Sequence, residues 1–458
     1  MSKKSLLASM LAVLGTTFCY MACSGDTSVA GGVSEETNTL AGVLVDGSGN
    51  SVARAIVSAR HFENSSCVSN DTTDEKGRFA LALTAQGRYG ISAQTEKASF
   101  YKMVEFNGQS DSIVAKLSPV GKIAGVLKFS NDSVAAAMEI SVPGSPWMAT
   151  TDSEGKFSLD KVPQGTHPLI AKSPDPIQYV DAVYMANVSG DSAVLYGPVP
   201  SAALSSSRQF AASKVVYFPV STEYGLRSWW SMDYLTAAKN NLNTIGDSRG
   251  GSESMLVYGS STLSEGIDGH SLTLNGAGQY GVVENDRGLL DSASSMFLEA
   301  WVRVNSVSSE VKSYRKNIVG KVGFGSEEDR DVFSLAVVNG NCGAGAASFA
   351  FFMADGSGDT LSCQNAVVAP KPLALKKWTY VAAVWNGDEL RLYIDGQAVA
   401  RKKISVKKIG ISDEPIFFGK ESMDLDLDDV RIGVTALGDA DVVYRFNLKE
   451  VQDDGTDE

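Results

Sequence analysis

Histidine is scarce: three residues in a chain of 458. Imidazole-based catalysis therefore has little to draw on, although carboxylate chemistry stays open. The five cysteines include no C-x-x-C pair, so the strong sequence signal for a zinc site is absent. Positive charge is in deficit, with 40 Lys and Arg against 53 Asp and Glu and a formal net charge of −13. Such a chain has no basic footprint to displace counterions from phosphate, which argues against nucleic acid as a partner. Beyond Phe18 no run approaches the roughly 18 apolar residues of a membrane span. What is present is an ordinary globular composition, 43% hydrophobic and 20% charged. At roughly 100–200 residues per domain, the length suits two to four domains.

The N-terminus reads as a targeting segment. Lys3 and Lys4 precede an apolar stretch from Leu6 to Phe18, short for a span but suited to a signal peptide. Ala22 then Cys23, followed by Ser24 and Gly25, resembles the lipobox of bacterial lipoproteins. The resemblance implies a signal peptide over 1–22, cleavage before Cys23 and acylation of that cysteine. Two or three acyl chains would give firm membrane anchoring. Ser24 fits sorting to the outer membrane or cell surface. Residues 23–38 are small, polar and acidic, the composition of a flexible tether.

Export would remove Cys19 and commit Cys23 to lipid, leaving Cys67, Cys342 and Cys363. Cys342 and Cys363 flank a strand-like run, Ser348–Met353, and an oxidising compartment favours their pairing as a disulfide. Cys67 then has no partner and reads as a buried thiol.

Two short repeats follow. LAGVL at 40–44 returns as IAGVL at 123–127, and TTDEKGRFAL at 72–81 returns as TTDSEGKFSL at 150–159. Short apolar runs between Gly, Asn, Asp and Ser turns predict two small β-sandwiches, over 39–118 and 119–200. Asp74 and Asp152 would bond the turn backbone, with Gly77 and Gly155 taking positive φ. Phe79 and Phe157 would anchor the cores. This order of motifs, with Val162-Pro163-Gln164-Gly165 in the second copy, resembles the carboxypeptidase regulatory-like domain. That family implies a spacer or accessory module. Residues 201–221 read as a connector with one strand, Val215–Val220.

From 222 the texture changes to period-2 runs bounded by turns, without a long helix. Asn386-Gly387 and Asp395-Gly396 predict a three-strand meander. Length and strand count predict a two-sheet jelly roll over 222–448, followed by an acidic tail at 449–458. G-x-x-G-x-S-L-x-L-x-G from 266, F-L-E-A-W-V from 297, K-W-T-Y-V-A-A-V from 377, L-R-L-Y-I-D-G from 390 and D-D-V-R-I from 428 resemble the laminin-G-like (concanavalin A-like lectin/glucanase) domain. The resemblance implies an all-β protein ending in a jelly roll that binds glycans or proteins.

Three chemistries were candidates. Asp424, Asp426 and Asp428 alternate on one strand face, as hydrolase carboxylates of this fold do, but no glutamate accompanies them. In the same run Asp429 and Arg431 would share one face, with Asp428 and Val430 on the other. Calcium, which some members of the fold bind at the sandwich rim, would use Asp247 and Asp428. Trp301, Trp378 and Trp385 read as core. The candidates for stacking on a sugar are Trp147 and whichever of the adjacent Trp229 and Trp230 faces out. The expected protein is thus an envelope-anchored lipoprotein presenting a non-catalytic binding domain. The leading partner is a polysaccharide or surface glycan. Adhesion to an envelope protein, or an architectural role, is the alternative, with a glycosidase behind it.

Overall fold

The structure, a computed structural model, describes residues 38–64, 67–109, 111–201, 204, 210–237, 242–251, 254–276, 278–307, 315–323, 330–356, 361–420 and 423–450. The signal segment, Cys23 and the acidic end beyond 450 lie outside the described residues. Strands dominate, and among the described residues there is one α-helix, Asp439–Glu450. The chain forms two compact units.

The first unit holds the described residues up to Val120, with 143–146 and 161–163. Strand Thr39–Val45 lies between Arg78–Ala82, antiparallel, and Asp111–Lys116, parallel. A second sheet runs Val68–Thr72, Ile56–His61, Gly87–Gln94, Ala98–Phe106, antiparallel throughout. Leu40, Leu44, Val57, Phe79, Leu81 and Ile91 are buried in one core cluster.

The repeated motifs have local causes. Asp74 Oδ1 accepts the N–H of Lys76 at 2.8 Å and of Arg78 at 2.9 Å, and Gly77 closes the turn at φ +73°. A side chain at Gly42 would collide with the Phe79 ring, 2.3 Å from its Cβ. The Thr73 hydroxyl donates to Val52 O at 2.7 Å and accepts from Ala55 N at 2.9 Å.

The second unit contains the other repeat, built the same way. Asp152 Oδ1 accepts Glu154 N at 2.8 Å and Lys156 N at 2.9 Å, Gly155 has φ +77°, and Gly125 leaves room for Phe157. The Thr151 hydroxyl donates to Ala135 O at 2.6 Å. Its main sheet orders Met148–Thr150, Glu139–Ser141, Gly165–Ala171, Ala182–Ser189, Ser192–Tyr196 and Ala212–Ser213. The connector supplies that last short strand and Val216–Phe218, which pairs parallel with Leu127–Phe129. The connector strand is shorter than the pattern of Val215–Val220 predicts.

From Leu226 two sheets pack face to face. The eight-stranded sheet runs Thr262–Glu265, His270–Asn275, Asp424–Gly433, Met296–Ser306, Trp378–Trp385, Glu389–Ile394, Gln397–Lys403, with Leu226–Trp230 also paired to Asp424–Gly433. The nine-stranded sheet runs Thr236–Ala237, Asn243–Ile245, Met255–Tyr258, Tyr280–Val283, Ile416–Phe418, Lys316–Lys321, Phe333–Val338, Ser348–Met353, Ala366–Val368. Alternate residues of both sheets, among them Trp230, Leu298, Ile318, Phe351, Trp385 and Ile432, fill the layer between. Cys342 and Cys363 are joined as a disulfide with Cα atoms 5.1 Å apart.

The helix Asp439–Glu450 is an element that the strand pattern of the sequence does not predict. Asp439 and Asp441 occupy its first turn, where the helix dipole favours acids. Asp441 accepts the N–H of Gly438 and of Val220, each at 2.6 Å, and Asn447 donates to Pro198 O at 3.0 Å. The helix thereby ties the second repeat to the jelly roll within one unit.

Candidate functional site

The acidic run 424–429 lies on the outer face of the eight-stranded sheet. Asp424, Asp426 and Asp428 do alternate there, while Leu425 and Leu427 enter the core. Each carboxylate is already engaged. Asp424 accepts from Ser306 at 2.8 Å; Asp426 accepts from Thr273 at 2.6 Å, Arg303 at 2.8 Å and Asn305 at 2.9 Å. Burial alone would raise Asp426, but these donors hold it below its ordinary value. Asp428 is buried and accepts Ile267 N at 2.8 Å and Asp268 N at 3.3 Å. Desolvation, then the neighbouring Asp429, pushes its carboxyl up to about 7. Asp426 and Asp428 are buried and bonded to their own scaffold, whereas Asp424 is partly exposed.

Register along this strand differs from a simple alternation. Trp301 faces Asp428 and Glu299 faces Arg431, so Asp429 and Val430 together oppose Ala300. This is a β-bulge, with Asp429 left-handed at φ +52°. Asp428 and Val430 consequently face opposite ways, contrary to the pattern read from sequence: Val430 enters the core and Asp428 does not. Asp429 still reaches Arg431, at 3.1 Å.

The structure places the predicted tryptophans in different settings. Trp147 is only 5% exposed. Trp230 is fully buried against Phe418, ring centroids 5.1 Å apart. Trp229 is the outward member, but its indole N–H donates to Asp429 and its ring lies 4.6 Å from the Arg431 guanidinium. Trp385 is in the core as read, whereas Trp378 is partly exposed beneath Arg303, and Trp301 packs outside the sandwich on Phe446.

Asp247 and Asp428 each leave one buried oxygen without a protein partner, which is the feature a cation would use. Asp247 spends its other oxygen on Trp229 N at 3.1 Å and Arg249 N at 3.0 Å. Among the described residues no group of three or more acids, histidines or cysteines is disposed to hold a metal. Cys67 is buried, 3.5 Å from the Thr84 hydroxyl.

The structure instead presents an aromatic surface on the outer face of the nine-stranded sheet. Met255, Val257 and Val283 point into the core, so Leu256, Tyr258, Tyr280 and Val282 point out. Tyr258 and Tyr280 are directly opposite in register, and their rings stack at 4.9 Å and 9°. Phe417 lies 5.9 Å from Tyr280 with the Lys420 ammonium 4.2 Å above its ring. The Tyr258 hydroxyl donates to Glu284 at 3.4 Å. Desolvation, then Glu284, raises the Tyr258 phenol above its ordinary value, so it stays protonated. Both tyrosines are partly exposed and Glu284 is exposed. The same face continues through Gly320, Ser334, Ala336, Ala350 and Ala366, with Phe352 and Val338 buried among them. Sequence reasoning that searched tryptophans passed over these tyrosines; the alternation of Leu256 and Tyr258 with Val257 was the available signal.

Residues 275–443 match the sequence profile of a laminin-G family described as the concanavalin A-like lectin/glucanases superfamily. No curated protein matches the chain in sequence. Among solved structures, the binding domain of Paraclostridial Mosquitocidal Protein 1 is similar at 17% identity, covering 49% of this chain and 52% of that one, with a TM-score of 0.38. The receptor-binding domain of botulinum neurotoxin C/D mosaic serotype gives 16%, 50%, 52% and 0.36. Domain 4 of AbnA, a GH43 extracellular arabinanase from Geobacillus stearothermophilus in complex with arabinotriose, gives 14%, 48%, 96% and 0.34. The chain spans about half the length of the two toxin domains.

Proposed function

We infer that the concanavalin A-like domain is a non-catalytic glycan-binding module, held at a cell envelope by a lipid on Cys23. The observation that carries this reading is the Tyr258–Tyr280 pair, stacked and partly exposed beside Glu284 and Lys420. The C–H face of a sugar ring packs on aromatic rings, while a carboxylate and an ammonium at the margin take its hydroxyls. The engagement of Asp424, Asp426 and Asp428 by their own neighbours supports binding over hydrolysis. The two repeats, similar to carboxypeptidase regulatory-like domains, would act as spacers between lipid and ligand.

The test uses residues 38–458, because the helix bonds Val220 and Pro198 and a cut at 222 would strip those contacts. Saturable binding to at least one member of a polysaccharide panel, weakened about tenfold in Tyr258→Ala, is expected. No binding across the panel overturns the reading in favour of a protein partner. The anchor has a separate test: Cys23→Ala should leave the membrane fraction, and retention there would refute lipidation.

A further inference from the structure

A recess lies beside the loop that follows strand Tyr280–Val283. It is a cavity of about 470 Å³ whose lining includes Arg227, Arg287, Asp291, Ser292 and Ser294. That volume is in the range of small-ligand sites.

Its charges are unevenly satisfied. Asp286, at the base, is neutralised by the buried Lys321 at 2.8 Å. Arg227 and Arg287 are exposed and pair with no carboxylate among the described residues. Elsewhere in the same domain the arginines are mostly matched: Arg303 with Asp426, Arg315 with Asp331, Arg391 with Glu389, Arg401 with Asp439, Arg431 and Arg445 with Glu299. Two unmatched guanidiniums on one recess therefore stand out in a chain of net charge −13.

The loop that carries Arg287 is fixed. Gly288 N bonds Asp286 Oδ1 at 3.2 Å, and Leu289, Asp291 and Ala293 donate at 3.0 Å to Asp286, Gly288 and Leu290 carbonyls. Leu290 plugs into the core, and Ile409 N bonds Ala293 O at 2.9 Å. Arg287 and Ser292 are left-handed, at φ +50° and +60°, a cost that the surrounding bonds hold in place.

We propose that this recess binds the carboxylated residue of an acidic glycan. A guanidinium pairs bidentately with a carboxylate. Asp291, with the Ser292 and Ser294 hydroxyls, accepts and donates to sugar hydroxyls in the same recess. Asp291 repels the singly charged carboxylate of a uronate-type sugar less than it would a doubly charged phosphate, which favours the uronate class. The proposal rests on the glycan-binding reading above and adds the ligand class and a second set of contact residues.

The test compares polygalacturonate with its fully methyl-esterified form, which keeps the backbone and removes the charge. Polyglutamate, a carboxylate polymer without sugar hydroxyls, is the control. Residues 38–458, the double variant Arg227→Gln/Arg287→Gln and Tyr258→Ala are titrated with each. The expected result is at least tenfold weaker binding of the ester and of polyglutamate, and the same loss of polygalacturonate binding in the arginine variant. Tyr258→Ala should weaken both pectin forms equally and keep the preference for the free acid. Equal binding of acid and ester, or an unaffected arginine variant, overturns this proposal and leaves the glycan reading standing. Binding of polyglutamate as tight as polygalacturonate reduces the recess to a charge effect and also overturns it. No binding to either pectin form, together with silence across the neutral panel, overturns both.

Discussion

Arg445 on the C-terminal helix meets Glu299 on the sheet at 2.9 Å, with both side chains sealed from solvent. Arg431 reaches the same carboxylate at 3.3 Å, and the Tyr380 hydroxyl donates to it at 2.8 Å. Arg445 also donates to the Ser221 carbonyl at 3.1 Å, carrying the contact into the connector. Breaking a buried pair strands the remaining charge, at about 3–5 kcal/mol. Glu299→Gln and Arg445→Met should each lower unfolding stability by that order in urea titration. A loss under about 1 kcal/mol would show that the network is not what holds the helix.

The acid side of the stability profile has two opposed parts. For Glu299, burial alone would raise the carboxyl, but Arg445, Arg431 and Tyr380 hold it below its ordinary value. Its contribution is present above the unfolded carboxylate range and is lost as pH falls through the lowered folded value. Asp428 is the reverse case. Desolvation, then Asp429, raises it to about 7, so its ionisation costs stability above that pH. The cost disappears as pH falls from about 7 towards the unfolded value, where the folded state takes up the proton. Wild type should therefore gain stability between pH 8 and pH 5. Asp428→Asn keeps an acceptor for Ile267 and Asp268. It should be more stable than wild type by about 1–3 kcal/mol at pH 8, with the difference vanishing near pH 4. Thermal melts across that range decide it; a constant difference at all pH values would refute the titration.

The Cys342–Cys363 bridge joins residues 21 apart in sequence. In the chain-entropy model such a bridge is worth about 3 kcal/mol. Cys342→Ser/Cys363→Ser, or wild type under reductant, should lose about that much in denaturant titration, and no loss would show a dispensable link.

Tyr258→Ala and Tyr280→Ala should each weaken glycan binding about tenfold, equivalent to about 1.4 kcal/mol. Both are partly exposed, so melting temperature should move little. A loss of binding that tracks a loss of folding would argue against a contact role.

Much of this fold is legible as local pattern. Asp74 and Asp152 are placed by the turns their side chains bond, and Gly42 and Gly125 by the phenylalanine rings that need the space. Such causes lie within a few residues or repeat visibly along the chain. What escaped has non-local causes. The helix at 439–450 carries Arg445 on its buried face, which reads as a solvent position until Glu299, far earlier in sequence, supplies its partner. The bulge at Asp429 shifts the register of an alternating acidic run, and only pairing with the strand of Ala300 reveals it. Trp147 looked available because a tryptophan between Pro146 and Met148 gives no sign of what covers it. The tyrosine pair is two residues brought together by strand pairing, which no local motif marks.

The strand Asp424–Gly433 pairs with Leu226–Trp230, His270–Asn275 and Met296–Ser306. It is thus the strand that joins the two halves of the eight-stranded sheet, supplied by a segment distant in sequence from all three of its partners. A chain cut short before Asp424 leaves open strand edges rather than a smaller sandwich, and open edges are sticky. One segment therefore staples the sheet: a lesion confined to Asp424–Gly433 unpairs three strands at once, while a lesion in any one of those three leaves the other two joined through it.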